Sequence, residues 1–126
     1  MNERDNNLIA IRPVIASARI SDAMSSEEYF QNKILRPVLK LQNPLLLVVF
    51  KNYIKKYKNN YFTLSLEKRL DYIENAIQKD IKFRNSLKGI IIGQFTIEEY
   101  QLYIENSSAL NKRMMNMVIE RLKDQV

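Results

Sequence analysis

The sequence predicts an all-α domain, an irregular bundle of five or six helices with an N-terminal apolar arm, on three observations. Only two glycines and three prolines occur in 126 residues, too few for the tight turns that an all-β chain of this length requires. Apolar residues recur at three- and four-residue spacing over most of the chain, the period of one helix face. Two such stretches open with a hydroxyl residue followed three positions later by glutamate, Ser25/Glu28 and Thr96/Glu99, the spacing of a capping box. The content of 46% hydrophobic and 27% charged residues is ordinary globular usage, and the length suits a single core.

Residues 1–24 are the least regular segment and are expected to form an arm ahead of a helical domain over residues 25–126. Leu8, Ile9, Ile11, Val14, Ile15 and Ile20 are too many for a solvated tail, yet they follow no clean period, and Pro13 interrupts a helix running through it. Such an arm docks on its own domain or on a neighbouring subunit; the sequence leaves both open.

From Ser25 a helix carries Tyr29, Phe30, Ile34, Leu35, Val38, Leu39 and Leu41. Pro37 lies within it, so the helix either kinks there or stops and restarts with the proline in its first turn. Asn43-Pro44 reads as a fresh N-cap followed by proline at the first helical position. The run Leu45–Phe50 alone could be a buried strand. Its continuation through Tyr53, Ile54 and Tyr57 holds a helical period and assigns a central helix with a lysine-rich end.

Ser65 is expected to cap a helix with Leu66, Leu70, Ile73, Ile77 and Ile81 on its inner face and Glu67, Asp71 and Glu74 outside, ion-paired with Lys68 and Arg69. Asp80 can cap a further helix through Phe83, Leu87, Ile90 and Ile91. Gly89 and Gly93 are read as sites of close helix packing, with a short strand at 90–92 as the rival. Thr96 opens a helix with Tyr100, Tyr103 and Ile104, and Ser108 is read as the cap of a last helix with Leu110, Met114, Met117, Val118 and Leu122. The expected core comprises Leu46, Val49, Phe50, Leu70, Ile73, Ile77, Leu87, Ile91, Tyr100, Met114 and Val118.

Composition narrows the chemistry. There is no cysteine and no histidine, which removes disulfides, thiolate metal sites and the usual general acid/base. No catalytic, cofactor-binding or metal-binding residue is assigned: Glu27/Glu28 and Glu98/Glu99 are adjacent pairs that helix capping explains. Gly89 and Gly93 lack the spacing of a phosphate loop. No secretion signal and no apolar run long enough to span a bilayer is read, so a cytoplasmic protein without a membrane partner is expected.

The net charge of +6 is uneven: residues 1–60 hold ten Lys/Arg against five Asp/Glu, and residues 61–126 hold ten against nine. Lys51, Lys55, Lys56 and Lys58, interleaved with Tyr53 and Tyr57, form a candidate nucleic-acid contact. Against it, the two tyrosines share a helical face with Phe50 and are expected in the core, and lysines also suit a helix C-terminus. A second candidate is a partner surface made of Leu8, Ile11, Val14 and Ile15 on the arm with Met115 and Ile119, which widen the apolar face of the last helix.

Leu35-Arg36-Pro37-Val38-Leu39-Lys40-Leu41-Gln42, Gly93-Gln94-Phe95-Thr96 and Leu110-Asn111-Lys112-Arg113 resemble a group of short uncharacterised bacterial proteins sometimes labelled glyoxalase. That label implies a β-rich metalloenzyme with histidine and carboxylate ligands, and this chain has no histidine to supply them. The resemblance transfers no functional residue. The expected function is a non-catalytic protein-interaction or regulatory domain that self-associates or binds another protein, with nucleic-acid binding through the Lys51–Lys58 stretch as the alternative.

Overall fold

The computed structural model describes residues 1–15, 20–21, 23–57 and 60–126. The described residues form α-helices α1 (Glu3–Ile11), α2 (Ser26–Phe30), α3 (Arg36–Lys56), α4 (Leu66–Lys79), α5 (Ile81–Ile92), α6 (Ile97–Ile104) and α7 (Ser107–Lys123). A π-helical turn, Gln31–Leu35, joins α2 to α3, and a 3-10 turn, Tyr61–Thr63, precedes α4. There is no strand among the described residues, and the all-α bundle is as the periodicity predicts.

The helix starts follow their caps. Ser25, Ser65, Asp80 and Thr96 each accept a hydrogen bond from the backbone N–H three residues on, and Thr96 and Glu99 complete both halves of a capping box. Each bond satisfies a donor that the helix start would otherwise leave unpaired. Ser108 is not a cap: α7 begins from Asn106, whose side chain instead donates to Glu27 at 3.0 Å.

Pro37 and Pro44 fare differently. Helix α2 ends at Phe30 and α3 begins at Arg36 with Pro37 in its first turn, one of the two arrangements expected, although the π turn keeps the path helical; at Pro44 there is no restart. Ahead of Pro37 the backbone widens, with the Arg36 N–H bonded to the Gln31 carbonyl across the π turn, which accommodates a ring that would clash in a regular α turn. Pro44 sits inside α3, its face exposed, so the Asn43-Pro44 boundary is overridden. Asn43 is not a cap either; it exchanges two 2.9 Å hydrogen bonds with Gln125.

One core fills the bundle, built from Leu35 of the π turn, Val38, Leu39 and Leu46 on α3, Ile73 and Ile77 on α4, Leu87 and Ile91 on α5, and Met114 and Val118 on α7. Helix α7 packs against α3, α4, α5, α6 and the π turn, which cover a broad side of it and leave the row Ser108, Lys112, Asn116 and Glu120 exposed. Among the residues expected in or near the core, Tyr100 is exposed on α6, Leu70 is half-buried, and Val49 is half-buried against the core. The α4 stripe is exposed at both ends, at Leu66 and at Ile81, the latter because Asp80 ends that helix and starts the next. Close packing is absent at Gly89, where an added Cβ would meet open space; at Gly93 it would come within 3.1 Å of the Gly89 carbonyl. Arg69 does not pair with the acidic stripe but donates to the Tyr61 and Phe62 carbonyls, while Glu74 pairs with Lys123 at 3.3 Å.

Candidate functional site

The arm contains a helix, contrary to its irregular pattern, and it docks on its own chain. Asn2 caps α1 by accepting from the Asp5 N–H at 2.7 Å. The inward face of α1 and its exit is Asp5, Leu8 and Arg12, spaced by three and four. This face is largely polar, which explains why hydrophobic periodicity did not reveal the helix. The buried Asp5 carboxylate accepts from the Ile97 N–H at 3.0 Å, at the start of α6. Arg4 donates to the Gly93 carbonyl at 3.0 Å, at the end of α5. Each charge thus sits at the helix end whose dipole attracts it.

Arg12 is the principal anchor. Its guanidinium makes a bidentate pair with Glu99, both bonds 2.6 Å, and donates to the Gln94 carbonyl at 2.7 Å. The side chains keep 8% and 14% of their exposure. Burial alone would raise the Glu99 carboxyl, but the hydrogen bonds from Arg12 and the Thr96 backbone outweigh it and hold Glu99 below the ordinary glutamate range. Glu99 therefore has two tasks, closing the capping box and gripping the arm. Sequence reading gave it only the first.

The polar anchors leave apolar side chains outside. Ile11 is 57% exposed and Val14 90% exposed, with Ile9 and Ile20 also exposed and Leu8 and Ile15 half-buried. On α6, Ile97, Tyr100 and Ile104 recur at i, i+3 and i+7 and are all exposed, a stripe that an isolated surface helix would turn inward. Tyr103, one position from the stripe, goes in and donates its hydroxyl to Asn111. Neither the arm through residue 15 nor residues 94–111 contain a lysine. Met115 and Ile119 do not belong to this surface. Both are buried, because α3, α4, α5, α6 and the π turn cover the wide apolar side of α7 and leave only the row Ser108, Lys112, Asn116 and Glu120 to solvent.

The lysine stretch is divided. Lys51, Lys55 and Lys56 are exposed on the last turns of α3, and Lys58 lies outside the described residues. Lys51 borders a cleft with Phe62 and Arg69, whereas Lys56 borders a different groove with Lys82 of α5. Tyr53 is half-buried and donates to Asp80 at 2.9 Å; burial first, and this bond second, raise its hydroxyl pKa strongly. Tyr57 is 53% exposed, so it is not the core residue its helical face suggested.

Among the described residues no group of three or more carboxylates is placed to hold a metal ion. No described helix is long and apolar enough to cross a membrane. Comparison with protein-family models, with curated proteins and with solved structures finds no match to the chain.

Proposed function

We propose that the chain is a non-catalytic interaction domain that self-associates through the outward apolar face of its docked arm and α6. The observation that carries this reading is the inverted use of the arm: charged Asp5 and Arg12 face inward while Ile11 and Val14 face solvent. Burying an arginine–carboxylate pair costs desolvation that an apolar contact would not. An arm that served only its own core would turn isoleucine and valine inward instead. Exposed apolar side chains held on a fixed scaffold are the usual mark of a binding surface.

A second copy of the chain is the occupant that the charge pattern favours. The molecule carries +6, so copies repel. In residues 1–15 Glu3 and Asp5 offset Arg4 and Arg12, and α6 adds Glu98 and Glu99. The segments that form this surface contain no lysine, with Lys33 near Glu98 and Glu99 from a neighbouring element, and lysine is depleted where proteins meet. Because the arm docks on its own domain, association is a pairing of faces and not an exchange of arms.

Replacing Ile11 and Val14 together by glutamate tests the surface. Both side chains are exposed, so the fold and its thermal transition are expected to hold. Light scattering behind size-exclusion chromatography is expected to show an oligomer for the parent chain and a monomer for the double variant. An unchanged oligomer would remove the arm from the interface.

A further inference from the structure

The lysine-bearing end of α3 meets α5 along a groove of about 220 Å³ lined by Asn52, Tyr53, Lys56, Tyr57, Lys82 and Ser86. Three rings form a ladder across its floor. Phe83 stacks on Tyr53 with centroids 4.0 Å apart, and Tyr53 packs on Tyr57 at 4.7 Å. The ladder begins in the core with buried Phe83 and ends at the exposed Tyr57 ring, with the Lys56 ammonium 5.7 Å from its centroid. Lys79, at the end of α4, joins Lys82 beside Tyr53 in the adjoining cleft.

Three lysines from three helices therefore surround one aromatic ladder. Among the described residues none of them is in an ion pair. The carboxylate found among the lining residues of these clefts, Asp80, accepts from the Tyr53 hydroxyl at 2.9 Å and the Phe83 N–H at 3.1 Å and is attracted to Lys82 without forming an ion pair. Tyr57 is 53% exposed, is packed on one side by Tyr53 and carries the Lys56 ammonium over its ring, so a flat ring that stacks there takes the place of a flexible lysine end. Lys56 and Lys82, lining the same groove, suit the phosphates flanking a stacked base, and Asn52 and Ser86 offer donors and acceptors for its edge. An acidic peptide would use the lysines but leave the ring without a role. A duplex keeps its bases stacked inward and cannot offer one to Tyr57.

We propose that the groove between α3 and α5 binds single-stranded nucleic acid, with Tyr57 stacking on a base and Lys56 and Lys82 neutralising the adjoining phosphates. The site is separate from the arm and α6 surface and does not depend on self-association. It differs from the run of lysines in the sequence, since Lys51 borders another cleft and Lys82 comes from a different helix.

The test is fluorescence anisotropy of a labelled oligothymidylate of roughly twelve nucleotides, within the span such sites cover, titrated at low and near-physiological salt. Tyr57→Ala is expected to weaken binding on the order of tenfold, and Tyr57→Phe to retain it. Lys56→Ala with Lys82→Ala is expected to weaken binding and to flatten the log–log salt slope by about 0.7 per lysine. Lys112→Ala, on α7, is expected to leave affinity within about twofold of the parent. All four positions are exposed, so each variant is expected to fold, which circular dichroism checks. Absence of binding at low salt would overturn the proposal, as would parent-like affinity in the Tyr57→Ala and double-lysine variants. Equal competition by duplex DNA or by polyglutamate would overturn it too.

Discussion

Met115 and Val14 show how one kind of residue serves opposite ends. Met115 is 2% exposed at the centre of α7, and Val14 stands almost free beyond α1. Met115→Ala is expected to destabilise the fold by about 2–5 kcal/mol, the range for emptying a core site that relaxes only partly. Val14→Ala is expected to change stability by less than about 0.5 kcal/mol. Urea denaturation of both variants measures the contrast. Spacing identified Met114 and Val118 as core because both fall on the main stripe. It misread Met115 and Ile119 because the width of an apolar face has two causes, an unpartnered surface or a helix covered over a broad side by neighbours. Only the packing of α3, α4, α5, α6 and the π turn against α7 distinguishes them. Tyr57 is the converse case: it shares a period with Phe50 and Ile54, but α3 extends past the core before reaching it.

At the scale of elements, the arm's attachment is electrostatic and should titrate. Glu99 has its folded pKa lowered from an unfolded value near ~4.3. Its contribution is present in full above that value and is lost as pH falls through the lower folded pKa. The arm is therefore expected to release in acid, at a pH below the ordinary glutamate range, while the rest of the bundle still protects its amides. Arg12→Ala is expected to do the same at neutral pH. Removing one member of a buried pair costs about 3–5 kcal/mol where nothing can relax, but here detachment of the arm limits the loss. Hydrogen exchange is expected to rise across α1 and remain slow in α4 and α7. Equal exchange in parent and variant would show that Arg12 is not the anchor.

Helix starts were legible because a cap is a local interaction, and Ser25, Ser65, Asp80 and Thr96 all act as the sequence suggests. The break at Pro44 was illegible for the opposite reason. A proline inside a helix costs about 3 kcal/mol or more, yet α3 packs against α5, α7 and the π turn and is carried through it. Pro44→Ala, at this exposed position, is expected to stabilise the protein by about 1–3 kcal/mol. Differential scanning calorimetry should show a higher Tm, and a lower one would mean that the ring has a packing role.

Across the whole molecule, lysines are unevenly placed, while exposed apolar side chains occur on both sides, Ile81 beside Lys79 and Lys82 included. The arm and residues 94–111 carry exposed isoleucine, valine and tyrosine without lysine, whereas the facing ends of α3, α4 and α5 gather Lys56, Lys79 and Lys82 around an aromatic ladder. The sequence disclosed the ingredients of both surfaces, Ile11 and Val14 for one and Lys56 for the other. It could not disclose that Arg12 reaches Glu99, or that Lys82 stands opposite Lys56, since those pairs are 87 and 26 positions apart and no motif links them. Self-association through the arm and α6 is the central claim. Sedimentation equilibrium of the parent chain over micromolar to near-millimolar concentration tests it most directly. A mass rising to a closed oligomer is expected, whereas a strict monomer over the whole range would contradict it.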